Sequence, residues 1–120
     1  MNPLNALNEH GQSIWLDLLN RDIMDTSKLK SLIEQDSLVG LTSNPSIFEK
    51  AITGSADYDE DIRNLSKTEE DYKKIFIDLE IKDIQRAADI FKPVFEKTNG
   101  KDGFVSIEVT PDLAHDAQAT

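Results

Sequence analysis

The chain has 120 residues, room for one ordinary domain, and its 38% hydrophobic and 30% charged residues are a globular composition. A formal net charge of -10 makes nucleic acid and anionic membranes poor partners, because both attract basic patches. The absence of cysteine excludes disulfides and thiolate sites. The absence of a secretory signal or a run of ~20 apolar residues predicts a cytoplasmic location.

Three short apolar runs predict β-strands, at 13–17, 38–43 and 104–109. A short amphipathic helix is expected between the first two strands. The side chains of residues 25–27 offer N-cap chemistry, and apolar residues follow them at positions i, i+3 and i+4. The first strand connection is therefore predicted to be helical.

The connection between the second and third strands begins with a helix start signal. Asn44 stands as an N-cap before Pro45, whose missing N–H is harmless at the first helical position. This helix is expected to end at Gly54, and the apolar spacing at 62–65 indicates another short helical piece.

The longest predicted element follows. Thr68 with Asp71 resembles a capping box, and apolar residues then recur at helical spacing over 72–95. Pro93 is expected to kink or end this helix, since proline removes a backbone donor. After the third strand a new helical pattern begins at 112–114.

Strands that alternate with helices indicate parallel β-α units. Side chains alternate between the two faces of a strand, so each strand can be divided into two sets. One set is mostly apolar: Ile14, Leu16, Val39, Leu41, Ser43, Val105, Ile107 and Val109. The other becomes polar towards the carboxyl end: Ser13, Trp15, Asp17, Gly40, Thr42, Asn44, Phe104, Ser106 and Glu108.

This alternation favours a (β/α)8 barrel, in which helices cover one face and the chemistry lies at the carboxyl ends of the strands. An open doubly wound sheet would favour continuous apolar strands. An antiparallel sheet with one wet face shows the same alternation, but the long helical crossovers argue against it. A barrel would bring Asp17, Thr42, Asn44 and Glu108 together.

Each of these four residues also has a structural interpretation. Asp17 could cap the turn that follows it, and Asn44 is a natural N-cap whether or not it binds a ligand. Glu108 stands between two apolar residues, where an unpaired buried carboxylate is costly, so it either faces solvent or belongs to a site. Thr42 and Ser106 could line the site or fill the barrel.

Five segments, in this order, resemble the transaldolase family over nearly the whole chain, most closely its longer bacterial branch. The Thr-Ser-Asn-Pro turn at 42–45 is the most specific of the shared features. The segments are Gly11-Gln12-Ser13-Ile14-Trp15-Leu16-Asp17 with Arg21, the run 40–52, the run 83–89, the run 102–109, and Pro111-Asp112-Leu113-Ala114.

The resemblance implies a TIM barrel that transfers a dihydroxyacetone unit between sugar phosphates in the pentose phosphate pathway. The substrates would be sedoheptulose 7-phosphate, glyceraldehyde 3-phosphate, fructose 6-phosphate and erythrose 4-phosphate. The family uses no metal and no organic cofactor, and a lysine on the fourth strand forms a Schiff base. His10 and His115 also lack partners at metal-ligand spacing.

The resemblance further assigns roles to residues at matching positions. Asp17 would act as acid and base on the substrate hydroxyl that loses its proton as the carbon–carbon bond breaks. Asn44 would hydrogen-bond substrate or water, with Thr42 beside it. Glu108 would help a bound water to move protons while the imine forms and hydrolyses. A positioned carboxylate typically contributes ~10²–10⁴-fold to such proton transfers.

No lysine of this sequence ends a predicted strand on the inward face; Lys50 falls on a helix and Lys101 in a turn. Residues 1–120 are therefore interpreted as the amino-terminal part of one barrel domain, inactive by itself. Two alternatives stay open, a non-catalytic binding scaffold and a split barrel completed by another chain. Open strand edges predict that the isolated piece self-associates or swaps elements, or is only marginally stable.

Overall fold

The computed structural model describes residues 2–120, an α/β arrangement in which helices separate three parallel strands. In chain order the elements are α1 (Pro3–Glu9), β1 (Ile14–Asp17), α2 (Arg21–Asp25), α3 (Lys28–Gln35), β2 (Leu38–Ser43), α4 (Pro45–Thr53), α5 (Asp59–Leu65), α6 (Tyr72–Lys97), β3 (Phe104–Ile107) and a 3₁₀ turn (Pro111–Leu113). The predicted parallel β-α units are confirmed. Within the described residues no helix is long and apolar enough to cross a bilayer.

The sheet has the order β1-β2-β3, and both neighbouring pairs are parallel. The register shifts once, between Ile14 and Trp15, which pair with Leu38 and Gly40. Val39 is therefore an extra residue opposite no partner, as in a β-bulge. The prediction that Val39 packs on the same side as Leu41 is corrected for this reason, because Leu38 takes that place in the core.

The main core lies between the sheet and the helices. The side chains that meet there come from one face of the three strands and from α2, α3 and α6. From the strands they are Ile14, Leu16, Leu38, Leu41 and Val105; from the helices the fully buried ones include Leu29, Ala87 and Phe91. Apart from the bulge, the predicted division of β1 and β2 into two faces is confirmed.

A smaller apolar cluster lies beside the second crossover, and it joins α4 and α5 to the first half of α6. Its buried members are Phe48, Tyr58, Ile75 and Leu79. The rings of Phe48 and Tyr58 meet edge to face with centroids 5.7 Å apart, a preferred aromatic geometry. This cluster fixes α4, whose first residues follow the carboxyl end of β2.

Several predicted helix boundaries are wrong for local reasons. Asp71 itself caps α6, because its carboxylate accepts the backbone N–H of Lys73 at 2.9 Å, so Thr68 is not the cap. Ser27 precedes α3 in a left-handed conformation and makes no side-chain cap. Helix α6 continues through Pro93 to Lys97. Residues 89 and 93 are exposed, so water can bond the carbonyl that Pro93 leaves free.

The ends of the chain also differ from expectation. Strand β3 stops at Ile107 rather than residue 109, and Val109 is exposed. The pattern at 112–114 forms only the 3₁₀ turn Pro111–Leu113. Helices α1 and α2 were not predicted, because each is too short to display a clear apolar period.

Candidate active site

The predicted site residues lie in rows at the carboxyl ends of the strands. The register places Asp17, Thr42 and Ser106 side by side across β1, β2 and β3. Because side chains alternate, Asn44 and Glu108 fall two residues further along on the same side. The chain therefore brings Asp17, Thr42, Asn44 and Glu108 to one edge of the sheet.

An aromatic ring lies next to this row, two residues earlier along β1 and β2. Trp15 pairs with Gly40, and a Cβ atom built on Gly40 would lie only 2.2 Å from Cε2 of Trp15. Gly40 thus leaves the space that the indole occupies on the side of the sheet turned away from the helices. Trp15 remains 41% exposed, so it lies on the open face of the sheet, beside Asp17 and Thr42, rather than in the core.

Asn44 serves as the N-cap of α4, as the structural interpretation predicts. Its side-chain oxygen accepts the backbone N–H of Ile47 at 2.9 Å, which satisfies one of the free donors of the first turn. The amide nitrogen of Asn44 makes no hydrogen bond with residues 2–120. Capping therefore uses one end of the amide and leaves its donor end for a ligand.

Glu108 follows directly after β3 and is exposed. The hydroxyl of Thr42 donates to its Oε1 across 3.4 Å, a long hydrogen bond. The carboxylate is therefore not an unpaired buried charge, and its role in a site stays a prediction. The contact also joins two of the four predicted site residues.

The residues missed by the sequence interpretation include Glu80, a buried carboxyl in α6. Its side chain is 3% exposed, and Oε1 has no hydrogen-bond partner within residues 2–120. Burial, and secondarily the charge of Glu108, raises the pKa of Glu80 to about 7 from an ordinary value of 4.5. The folded chain keeps this proton to a higher pH than the unfolded chain does. Folding stability is therefore expected to fall as pH rises from 4.5 to about 7.

A signal for Glu80 was present in the sequence. Ile84 and Phe91 follow Glu80 by four and eleven residues, so a charged residue stands in the apolar stripe of a helix. Ser43 is a second buried polar residue at the same end of the sheet; its Oγ is unpartnered among the described residues. Buried polar atoms without partners are rare and mark places for a ligand, water or functional proton.

A buried polar network lies next to the site and begins four residues after Asp17. The Nε of Arg21 donates to Asp83 at 3.1 Å, and its Nη1 donates to the carbonyl of Asp57 at 2.8 Å. The hydroxyl of Tyr58 donates to the other oxygen of Asp83 at 2.6 Å. The guanidinium also lies 4.1 Å from the Tyr58 ring centroid, a cation–π contact.

The charges in this network shift each other's protonation. Burial acts to lower the pKa of Arg21, but the carboxylates of Asp61 and Asp83 outweigh it, and the net direction is upward. Burial raises the pKa of Tyr58, and its hydrogen bond to Asp83 raises it further. Arg21 therefore stays cationic and Tyr58 stays neutral, which holds α2 against α6.

Neither a metal centre nor a strand lysine occurs in the part of the chain that the structure describes. No three potential ligands among histidine and the acidic residues of 2–120 group as a metal site would require. Every lysine lies in a helix or a turn, including Lys50 in α4 and Lys101 before β3. The assembled site thus offers carboxylates, an amide and a hydroxyl, which can move protons and bind hydroxyl groups.

Parallel β-α units with polar and acidic side chains at the carboxyl ends of their strands are typical of TIM-barrel proteins. Residues 14–120 match the profile of the Transaldolase/Fructose-6-phosphate aldolase family. The chain belongs to this family.

Proteins named transaldolase are similar to the chain over almost its whole length. Transaldolase 2 of Nostoc punctiforme is 48% identical over 119 residues, which cover 99% of this chain and 31% of that protein. The transaldolase of Trichodesmium erythraeum is also 48% identical, with the same coverage. That of Acidothermus cellulolyticus is 46% identical over 118 residues, 98% of this chain and 32% of the relative. The chain spans about a third of the length of these curated relatives.

Proposed function

We propose that this chain is the amino-terminal part of a transaldolase barrel and supplies the proton-transfer half of its active site. The observation that carries the proposal is the row of Asp17, Thr42 and Ser106, with Asn44 and Glu108 just beyond it, at the carboxyl ends of parallel strands. The parent protein is the longer chain that would contain residues 1–120 and the lysine strand as one domain.

The proposed reaction needs an amine and several proton transfers. A lysine of the parent protein would attack the ketose carbonyl and, after loss of water, form an imine that withdraws electrons from the bond to be broken. Asp17 would accept the proton of the hydroxyl group on the carbon that departs with the aldose, as that bond breaks. Glu108 would relay protons through water when the imine forms and hydrolyses, and Asn44 and Thr42 would bind substrate hydroxyls.

The proposed substrates are sugar phosphates: sedoheptulose 7-phosphate or fructose 6-phosphate as donors, and glyceraldehyde 3-phosphate or erythrose 4-phosphate as acceptors. With these substrates the protein would act in the pentose phosphate pathway and, with it, in the cytoplasm. Because the chain carries a net charge of -10, a site for the phosphate would have to be built from positive groups gathered locally.

Borohydride trapping tests this proposal. The 120-residue chain and the parent protein are each incubated with fructose 6-phosphate and sodium borohydride, and their intact masses are measured. The parent protein is expected to gain one reduced dihydroxyacetone imine, and the isolated chain is expected to gain nothing, because none of its lysines lies at a strand end. An adduct on the isolated chain, or none on the parent protein, would contradict the proposal.

Self-association of the isolated chain is a second proposal. In the described residues β1 and β3 each pair on one side only, and unpaired strand edges attract other strands. Trp15, Phe104 and Ile107 are also 41%, 47% and 45% exposed. Light scattering after size exclusion is expected to give a mass above 13.5 kDa that falls on dilution. A monomer at every concentration would contradict this expectation.

A further inference from the structure

The indole of Trp15 lies flat on β2. A Cβ atom built on Gly40 would meet Cε2, Cδ2 and Nε1 of Trp15 at 2.2, 2.5 and 2.5 Å, the distances expected for a point directly over the ring. One face of the indole therefore rests on the backbone of Gly40, where no side chain is in the way. The opposite face points away from the sheet, on the side that carries Asp17, and Trp15 is 41% exposed.

This open face adjoins the candidate active site. Trp15 precedes Asp17 by two residues, Gly40 precedes Thr42 by two, and both pairs are in register across β1 and β2. Since a strand rises about 3.3 Å per residue, the ring lies roughly 7 Å along the strands from the row that contains Asp17 and Thr42. A phosphorylated sugar bound by these two side chains is long enough to reach the indole.

The other aromatic residue beside Gly40 is directed elsewhere. Phe104 pairs with Gly40 from the side opposite to Trp15, but its ring meets Phe95 of α6 edge to face, with centroids 5.6 Å apart. Among residues 2–120, no aromatic ring packs against the indole. The exposed face of Trp15 is therefore open to a ligand, whereas the ring of Phe104 is engaged at the end of α6.

We propose that Trp15 is a substrate-contacting residue, whose open indole face packs against the carbon chain of the donor sugar while Asp17 and Thr42 engage its hydroxyl groups. Ligand pockets combine apolar and aromatic walls with a few convergent polar groups that fix orientation. The C–H groups of a sugar offer an apolar surface, and an indole supplies a large rigid one to match it. The inference rests on the proposed function, because it assigns a further part of the same site.

Steady-state kinetics of the parent protein test this contact. Trp15→Ala is expected to raise KM for fructose 6-phosphate about tenfold and to change kcat by less than about threefold, as when binding shared by ground and transition states is lost. Trp15→Phe keeps an aromatic face and should restore most of the affinity. Phe104→Leu is the matched control and should leave KM unchanged. A KM for Trp15→Ala within about twofold of that of the unsubstituted parent protein overturns the proposal.

Gly40→Ala tests the same contact without altering Trp15 itself. The φ of Gly40 is not positive, so the backbone accepts alanine, but the new Cβ atom needs the space of the indole and would displace it. Gly40→Ala should therefore raise KM in the parent protein and have little effect when combined with Trp15→Ala, because the ring that it displaces is then absent. An equal rise in KM with and without the indole overturns the proposal.

An NMR measurement reports the contact directly and decides the question even if Trp15→Ala does not fold. Trp15 is the single tryptophan of residues 1–120, and its indole N–H resonance in the parent protein is identified by its loss in Trp15→Phe. Saturating fructose 6-phosphate is expected to shift this resonance. A ring packed as filler inside the barrel would not respond, so an unchanged resonance overturns the proposal.

Failure of this inference can be distinguished from failure of the proposed function. A parent protein without transaldolase activity overturns the proposed function, and the contact with a donor sugar falls with it. A parent protein that is active, but whose KM and indole resonance respond in none of these experiments, overturns the role of Trp15 alone.

Discussion

Replacing Asp83 by alanine is expected to lower the free energy of unfolding by about 3–5 kcal/mol, the typical effect of removing one partner of a buried ion pair. Asp83 is 2% exposed and accepts two hydrogen bonds, from Arg21 at 3.1 Å and from Tyr58 at 2.6 Å. Without the carboxylate, a largely buried guanidinium loses a partner and a buried hydroxyl is left unsatisfied. The loss is comparable to the whole stability of a small domain.

Urea unfolding followed by circular dichroism measures this effect. Asp78→Ala is the matched control, because Asp78 is an exposed carboxylate on the same helix, and it should change stability by less than about 0.5 kcal/mol. Asp83→Asn keeps the shape and one acceptor, so its loss should lie between those of the control and Asp83→Ala. If the free energy of unfolding of Asp83→Ala remained within about 1 kcal/mol of that of the unsubstituted 120-residue chain, the network would not be a principal source of stability.

Short-range patterns were sufficient to predict the sheet. Period-two alternation located β2 at Leu38–Ser43, and the polar residues at the strand ends identified the edge where Asp17, Thr42 and Glu108 gather. These features depend on the backbone period alone, so they can be read directly along the sequence. The bulge at Val39 cannot be predicted in this way, because it depends on how β1 and β2 pair in space.

The features that escaped prediction are long-range contacts between polar residues. Arg21 belonged to the segments that resemble transaldolases, but its partner Asp83 is 62 residues away and Tyr58 lies between helices. Nothing in local spacing specifies which carboxylate will meet which cation. Glu80 was overlooked for a different reason, because a single acidic residue in an amphipathic helix is usually solvated, and only the packing of α6 reveals its burial.

Asp17→Asn in the parent protein should lower kcat by about 10²–10⁴-fold, the usual contribution of a positioned acid–base group. Asparagine keeps the size and polarity of the side chain but cannot accept the hydroxyl proton as the carbon–carbon bond breaks. The side chain of Asp17 is exposed and makes no hydrogen bond or ion pair with the described residues. Stability should therefore be unchanged, which separates a catalytic loss from unfolding.

The measurement compares kcat and KM of the parent protein with those of Asp17→Asn and of Asp89→Asn, an exposed carboxylate on α6 that serves as control. Borohydride trapping distinguishes the affected step. The lysine should still form an imine with the donor ketose in Asp17→Asn, but bond cleavage should be slow, so the trapped adduct should retain the whole donor sugar. If Asp17→Asn kept more than about a tenth of kcat, Asp17 would not be the acid–base group, and its place at the end of β1 would reflect the turn that follows it.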